Sequence, residues 1–151
     1  MSKQGKLALI AGLLLVGLSG CGEPEDTRPG QPVAHRRAAF KQIIKSFEPM
    51  GVMLRDGQVD AARFRKLAAD LARDAETPWS HFPADTLYPP SRATAEIWSD
   101  PAGFAEEKDV FLKRVAALQA GLGEKYEPSW KLAYDQVHDS CRSCHKRFKA
   151  K

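Results

Sequence analysis

The C-terminal end of the chain carries an apolar stripe that limits how the chain can fold. Its members lie four, three, four, three and four residues apart: Trp130, Tyr134, Val137, Cys141, Cys144 and Phe148. This spacing puts all of them on one side of an α-helix that begins near Pro128. Most of the stability of such a helix comes from packing its apolar side, so we expect this helix to be one wall of a helical core.

An earlier stretch, residues 33–56, shows the same helical period. Its apolar residues are Phe40, Ile44, Phe47 and Leu54, with Ile43 and Met50 beside them. Pro49 interrupts the pattern, and a proline inside a helix removes one backbone hydrogen bond at a cost of about 3 kcal/mol. We therefore predict a first helix that has a kink near Lys45, or a break.

Two further helices are predicted between these stretches. One is capped by Asp60 and ends before Pro78, with the buried stripe Phe64, Leu67 and Leu71. The other has Asp100 as its cap and Pro101 at its first position, with the inward residues Phe104, Phe111, Val115, Leu118 and Leu122. Gly121 and Gly123 stop this helix. The proline-rich stretch 77–98 between the two helices is predicted to be a long anchored loop.

These patterns predict an all-α fold. No window of alternating apolar and polar residues is long enough for a convincing strand, and 151 residues suit one domain. Four helices of this length favour an antiparallel four-helix bundle.

The formal net charge of +4 includes Lys3 and Lys6, and there is no long basic run. Charge therefore gives no support to nucleic-acid binding.

The N-terminus has the pattern of an export signal. Basic residues precede an apolar run from Leu7 to Leu18, which is too short to cross a bilayer and fits a signal peptide over residues 1–20. The sequence Leu18-Ser19-Gly20-Cys21 resembles a bacterial lipobox, in which Cys21 receives a lipid. The alternative is an ordinary signal peptide followed by a chance cysteine.

The region after Cys21 is rich in proline and charge. We predict a flexible tether over residues 21–32 and a bundle domain over residues 33–151. A lipid anchor and a tether would hold the domain at a membrane face in the periplasm. Gly22, which is not an aspartate, favours the outer membrane in enteric-type sorting.

The motif "CRSCH" ends the apolar stripe, and it admits three interpretations. A redox disulfide of the thioredoxin kind belongs in a βαβ setting, which the helical pattern does not offer. A structural zinc site needs a second ligand pair, and His35, His81 and His138 are scattered. Cys141 and Cys144 lie about one helical turn apart, and His145 follows at once. This is the attachment pattern of c-type haem, with His145 as the iron ligand.

Several stretches together resemble one family. They are "RRAAFK" in the first helix, "TPWSHFPADT", "AEIWSDPAGF" and the C-terminal "SCRSCHKRF". The chain resembles the cytochromes c′, the class II c-type cytochromes, from about Arg36 to Lys151. The resemblance implies a four-helix bundle with one covalently bound haem c, and relatives often pair as homodimers through their first two helices.

The resemblance also implies what faces the haem. Arg36 matches an arginine that meets a haem propionate, and the distal residue one turn later is Phe40. In a register shifted by one, Arg37 is the propionate partner and Lys41 the distal residue; we favour Phe40 because a buried lysine is costly. Phenylalanine cannot bind iron, so His145 is expected to be the only protein ligand.

Other residues near the haem follow from the same resemblance. Trp79, Phe82 and Trp98 are expected to pack around the haem edge and hold the loop, and Arg92 to approach the second propionate. Where several relatives carry a proximal arginine, this chain has Lys149. Alternative iron ligands are disfavoured: Met50 and Met53 lie about 15–20 Å from Phe40 along a helix, His138 lies on the proximal helix, and His35 and His81 suit surface or loop positions.

The open iron face predicts a function. We expect a non-enzymatic haem protein that binds small diatomic gases such as NO and CO, with NO detoxification as its role. The alternative is an electron-transfer cytochrome with a periplasmic donor, in which the haem and the anchor would serve equally well. Peroxidase-like catalysis ranks last, because the first helix offers no distal histidine–arginine pair beyond His35-Arg36.

Overall fold

A computed structural model describes residues 25–151. The predicted signal peptide over residues 1–20 and the predicted lipidation site Cys21 lie outside the described residues. The helices are α1 (Pro32–Arg55), α2 (Ala61–Asp74), the one-turn α3 (Glu96–Ser99), α4 (Pro101–Ala120) and α5 (Pro128–Phe148), and a 3-10 helix covers Thr77–His81.

The four long helices form the predicted bundle. Helix α1 packs against α2, α2 against α4, and α4 against α5, while the 3-10 helix lies on α1. Within residues 25–151 the chain forms no strand, and its one isolated bridge joins Ala93 to Lys149. The prediction of an all-α four-helix bundle is confirmed. None of the helices in this part of the chain is long and apolar enough to cross a membrane.

Side-chain caps fix where two of the helices begin. The carboxylate of Asp60 accepts a hydrogen bond from the backbone N–H of Arg63 at the start of α2, and Asp100 accepts one from Gly103 at the start of α4. These bonds satisfy backbone donors that have no partner inside the helix. Both predicted caps are confirmed.

The break that Pro49 suggested does not occur. Helix α1 runs from Pro32 to Arg55 with Pro49 inside it. The core contacts that flank the proline explain its tolerance, since Phe47, Met50 and Met53 are all buried. Burying side chains of this size stabilises a helix by about 1.5–3 kcal/mol each, which outweighs the lost backbone bond.

Two neighbouring isoleucines of α1 differ in burial. Ile43 is buried, whereas Ile44 is 42% exposed. A residue step turns a helix by about 100°, so the two side chains point in different directions. Both nevertheless line the cavity described below, and the helical spacing that includes Ile44 agrees with this placement.

One residue of the predicted tether packs against the bundle. Asp26 lies in that stretch and is only 2% exposed. Its carboxylate accepts hydrogen bonds from the backbone N–H groups of Val33 and Ala34, in the first turn of α1. Packing contacts therefore extend back to Asp26, which the composition of this stretch did not indicate.

Candidate functional site

A cavity of about 580 Å³ opens between α1, α4, α5 and the loop that follows the 3-10 helix. Its walls are mainly apolar and aromatic, and they include Phe40, Ile43, Phe82, Phe104, Phe111 and Phe148. Cofactor pockets commonly measure about 300–1,000 Å³ and have apolar walls with a few placed polar groups. The cavity has the size and the chemistry of such a pocket.

Helix α5 brings three chemical groups to this cavity. Cys141, Cys144 and His145 all line it, because residues three and four apart lie on one side of a helix. Both thiols are free, and burial raises the pKa of each to about 11. They are protonated at neutral pH, unlike the acidic thiolate of a redox CxxC centre.

His145 also has a shifted pKa. Its pKa is lowered from the usual value, first by burial and then by the positive charges of Lys149 and Arg92. A lowered pKa favours the neutral imidazole, which keeps a nitrogen lone pair for a metal. The side chain that follows the two thiols is thus in the form that an iron ligand requires.

The α1 side of the cavity is closed by an aromatic group. Phe40 packs edge-on against Trp79 and Phe82, with ring centroids 5.8 Å and 6.4 Å away. The indole N–H of Trp79 donates to the carbonyl of Ala75 at 2.8 Å, which holds the ring in place. Phe40 and His145 therefore line one cavity from two different helices.

Trp98 acts at a distance from the cavity. Its indole N–H donates to the carbonyl of Phe82 at 3.3 Å, but Trp98 is not among the cavity walls. Its predicted role in holding the loop has a structural basis, whereas contact with the haem edge does not.

Arg36 lines the cavity and is tied to the loop beyond it. Arg36 is 5% exposed, and its guanidinium lies over the Phe82 ring at 4.4 Å. It donates to the carbonyl of His81, to both oxygens of Thr86 and to the hydroxyl of Ser91, the last at 2.7 Å. The helical pattern gave no sign of the hydroxyl partners, because loop residues carry no period. Arg36 as a propionate partner stays a prediction.

The rim of the cavity is strongly basic. The basic side chains among its walls are Arg36, Arg37, Lys41, Lys45, Arg92 and Lys149, and no acidic side chain lines it within the described residues. Both predicted registers of α1 are represented, since Phe40 and Lys41 each reach the cavity. Such a rim favours an anionic group at the cavity mouth.

The disfavoured iron ligands lie away from the cavity. Met50 and Met53 are buried in the helical core. His138 stacks on Phe47, and His35 stacks on His81 with ring centroids 5.5 Å apart. None of these five side chains is among the cavity walls. Their placement agrees with the expectation that they do not serve the site.

The residues of the cavity fit a c-type haem. Two thiols and a neutral imidazole stand in sequence on one wall, aromatic rings form other walls, and cations surround the mouth. A flat apolar ring system with two carboxylates matches this distribution of apolar and positive surface. The fit rests on the donor set and the shape of the cavity.

Comparison with protein families points the same way. A family model described as "Cytochrome C'" matches residues 31–149. The cytochrome c′ of Rhodopseudomonas palustris is 34% identical to this chain over 149 residues, which cover 97% of each protein.

Solved structures of similar proteins give the same result. The cytochrome c′ of Shewanella frigidimarina superposes with a TM-score of 0.77 and 30% identity, over 83% of this chain and 98% of that one. Variants of the Alcaligenes xylosoxidans protein, one solved as a nitric oxide complex and one with carbon monoxide bound, each give a TM-score of 0.74 with 27% identity. Each of these matches covers 84% of this chain and 100% of that one.

Proposed function

This chain belongs to the cytochrome c′ family, and we propose that it is a periplasmic haem protein that binds NO and CO at an iron with one protein ligand. The observation that carries the proposal is the cavity in which Phe40 lies on the α1 wall, while Cys141, Cys144 and His145 lie on α5. The family implies a c-type haem, and the NO and CO complexes of the Alcaligenes xylosoxidans variants support gas binding.

Cys141 and Cys144 would hold the haem covalently. Each S–H would add across one vinyl double bond, so that a thioether forms with no external oxidant. Both thiols are protonated at neutral pH and stand at the same cavity. His145 would bind the iron, and the haem would supply the metal centre to which a gas binds.

Phe40 would set which ligands enter. Its ring has no lone pair for iron, and it is held edge-on by Trp79 and Phe82. An apolar side chain at this place disfavours water and anions, because neither finds a hydrogen-bond partner there. A small neutral diatomic molecule needs no such partner, and it would enter when the ring moves.

The basic rim would receive the propionates of the haem. Arg36, Arg37 and Arg92 are candidates, because each lines the cavity. Arg92 also donates to the carbonyl of Ala150 at 2.9 Å, so its guanidinium is held at the cavity mouth. Lys149 would take the proximal place at which several relatives carry arginine.

The cellular setting belongs to the same proposal. The signal peptide and a lipid on Cys21 would anchor the protein to a membrane on the periplasmic side, with the outer membrane favoured by Gly22. Two copies would pair through α1 and α2. In support, Val52 of α1 is 44% exposed, which leaves apolar surface for a partner helix.

Ligand discrimination tests the proposal. Titration of the purified ferrous holoprotein with NO and with CO should give saturable spectral changes with both gases. Titration of the ferric form with cyanide should give binding at least about tenfold weaker in the wild type than in Phe40→Ala, because in the wild type an anion has to enter an apolar face. Equal cyanide affinity in the two proteins would contradict the role given to Phe40.

Electron transfer is the second candidate function. The basic rim favours it, because a positive haem edge would attract an acidic redox partner. That function predicts a second protein ligand on the iron and no spectral change when NO is added. We rank it second because the side chain at the predicted distal place is a phenylalanine and both methionines of α1 are in the core.

A further inference from the structure

The segment just before α1 makes hydrogen bonds and ring contacts with the loop that forms one wall of the cavity. We call Asp26, Arg28, Asp85 and Tyr88 the N-terminal latch. Asp26 is a charged residue with 2% exposure. A carboxylate is buried at such low exposure only when its oxygens are hydrogen-bonded, because desolvation of the charge is otherwise costly.

The bonds of Asp26 join two separate parts of the chain. One oxygen accepts from the backbone N–H groups of Val33 and Ala34 at 2.8 Å and 3.1 Å. The other accepts from the Tyr88 hydroxyl at 3.0 Å and from the backbone N–H of Arg28 at 3.2 Å. A single side chain therefore satisfies orphan donors of the first turn of α1 and fixes a residue of the distant loop.

Arg28 makes a second set of contacts with the same loop. Its guanidinium lies over the Tyr88 ring at 4.0 Å. It also donates to the backbone carbonyl of Asp85 at 3.1 Å and contacts the carboxylate of that residue at 3.3 Å. The salt bridge is exposed and worth little by itself. The contact with the Tyr88 ring adds a stacking contribution that an exposed ion pair lacks.

The gripped loop reaches the cavity at both ends. Phe82 at its start and Pro90 and Arg92 at its end line the cavity. Its middle is held from the inside by Arg36, which donates to Thr86 and Ser91. The latch therefore holds the outer side of the loop, and Arg36 holds the inner side.

We propose that Asp26 and Tyr88 are positioning residues that hold the loop 82–92 against the cavity and thereby limit how fast a gas ligand enters. This role rests on the proposed gas-binding function. Release of the latch would let the loop move away from Phe40 and Arg36.

The hydrogen bonds of the latch contribute fully to stability only over a limited range of pH. Desolvation opposes ionisation of Asp26, but hydrogen bonds from Ala34, Arg28, Tyr88 and Val33 leave its pKa lowered. Burial and the bond to Asp26 raise the pKa of Tyr88, while Arg28 opposes the rise and Asp85 adds to it. The contribution of Asp26 is complete above its unfolded pKa of about 3.9, and it is lost as the pH falls through the folded pKa. The contribution of Tyr88 is complete below about 10, and it is lost as the pH rises through its folded pKa.

Hydrogen exchange and ligand kinetics test this role together. The variant Tyr88→Phe keeps the ring under Arg28 and removes only the hydroxyl, and Asp26→Asn removes the charge. Tyr126→Phe removes a tyrosine hydroxyl far from the latch and serves as control. In the holoprotein we expect about tenfold faster exchange of the Thr86 and Ser91 amides in Tyr88→Phe, since a bond to a charged group is lost. We expect the CO association rate of the ferrous form to rise several-fold, with no change in Tyr126→Phe.

Each possible result tests a different part of the proposal. Equal exchange rates of the Thr86 and Ser91 amides in Tyr88→Phe and Tyr126→Phe would show that the latch does not hold the loop. Faster exchange with an unchanged CO association rate would overturn its role in ligand entry. A wild-type protein that bound no CO would overturn the proposed function and the entry role with it, while the exchange rates would still show whether the latch holds the loop.

Discussion

Replacing both Cys141 and Cys144 with alanine should remove all covalently bound haem from the protein. The two thiols lie at the same cavity wall, one helical turn apart, and each is proposed to form one thioether. Wild-type protein should keep its haem after denaturing electrophoresis, as shown by a haem stain of the band. Each single alanine variant should keep a reduced amount, because one thioether can still form.

Cys21, the proposed lipidation site, provides the control. Cys21→Ser should lose the lipid, seen as a mass decrease and loss of membrane association, and should keep the full haem stain. Haem that remained covalently bound in the double variant would contradict the assignment of the two thiols. Loss of the stain in Cys21→Ser would mean that export and haem attachment depend on lipidation, which the account does not predict.

Replacing Phe40 with alanine should raise the affinity of the ferrous protein for CO by at least about tenfold, which corresponds to about 1.4 kcal/mol. The ring packs edge-on against Trp79 and Phe82 at the cavity, so its removal clears space beside the proposed iron face. CO affinity can be measured by titration under reducing conditions.

The neighbouring Lys41 provides the matched control. It also lines the cavity, and it would be the distal residue in the register shifted by one. Lys41→Ala should leave CO affinity close to that of the wild type. A rise in Lys41→Ala without a rise in Phe40→Ala would show that the shifted register is correct. Thermal unfolding of both variants would separate a change at the iron from a general loss of stability, since truncation of a packed phenylalanine costs up to about 3–5 kcal/mol.

The bundle followed from periodicity because its helices bury one side each. The stripe of α5 and the caps Asp60 and Asp100 are local signals, readable from spacing and residue type. The same spacing brought Cys141, Cys144 and His145 to one cavity. Features that depend on neighbours within one helix are the ones that the sequence reveals.

Features that depend on distant contacts were missed. The continuity of α1 through Pro49 depends on core burial around Phe47 and Met50, which a local proline rule does not weigh. The role of Asp26 depends on a hydroxyl sixty-two positions later, at Tyr88. Thr86 and Ser91, which accept hydrogen bonds from Arg36, lie in a loop whose sequence has no helical or strand period. Composition therefore suggested a tether and a loop where the structure has a latch and a cavity wall.

The absorption spectrum of the purified holoprotein tests the central claim most directly. The ferric and ferrous forms should both show a high-spin spectrum, and addition of NO to the ferrous form should shift it, because the proposal gives the iron His145 as its one protein ligand and puts at the distal place a phenylalanine, which cannot bind iron. A low-spin spectrum in both forms that does not respond to NO would mean a second protein ligand. That result would contradict gas binding and assign the protein to electron transfer.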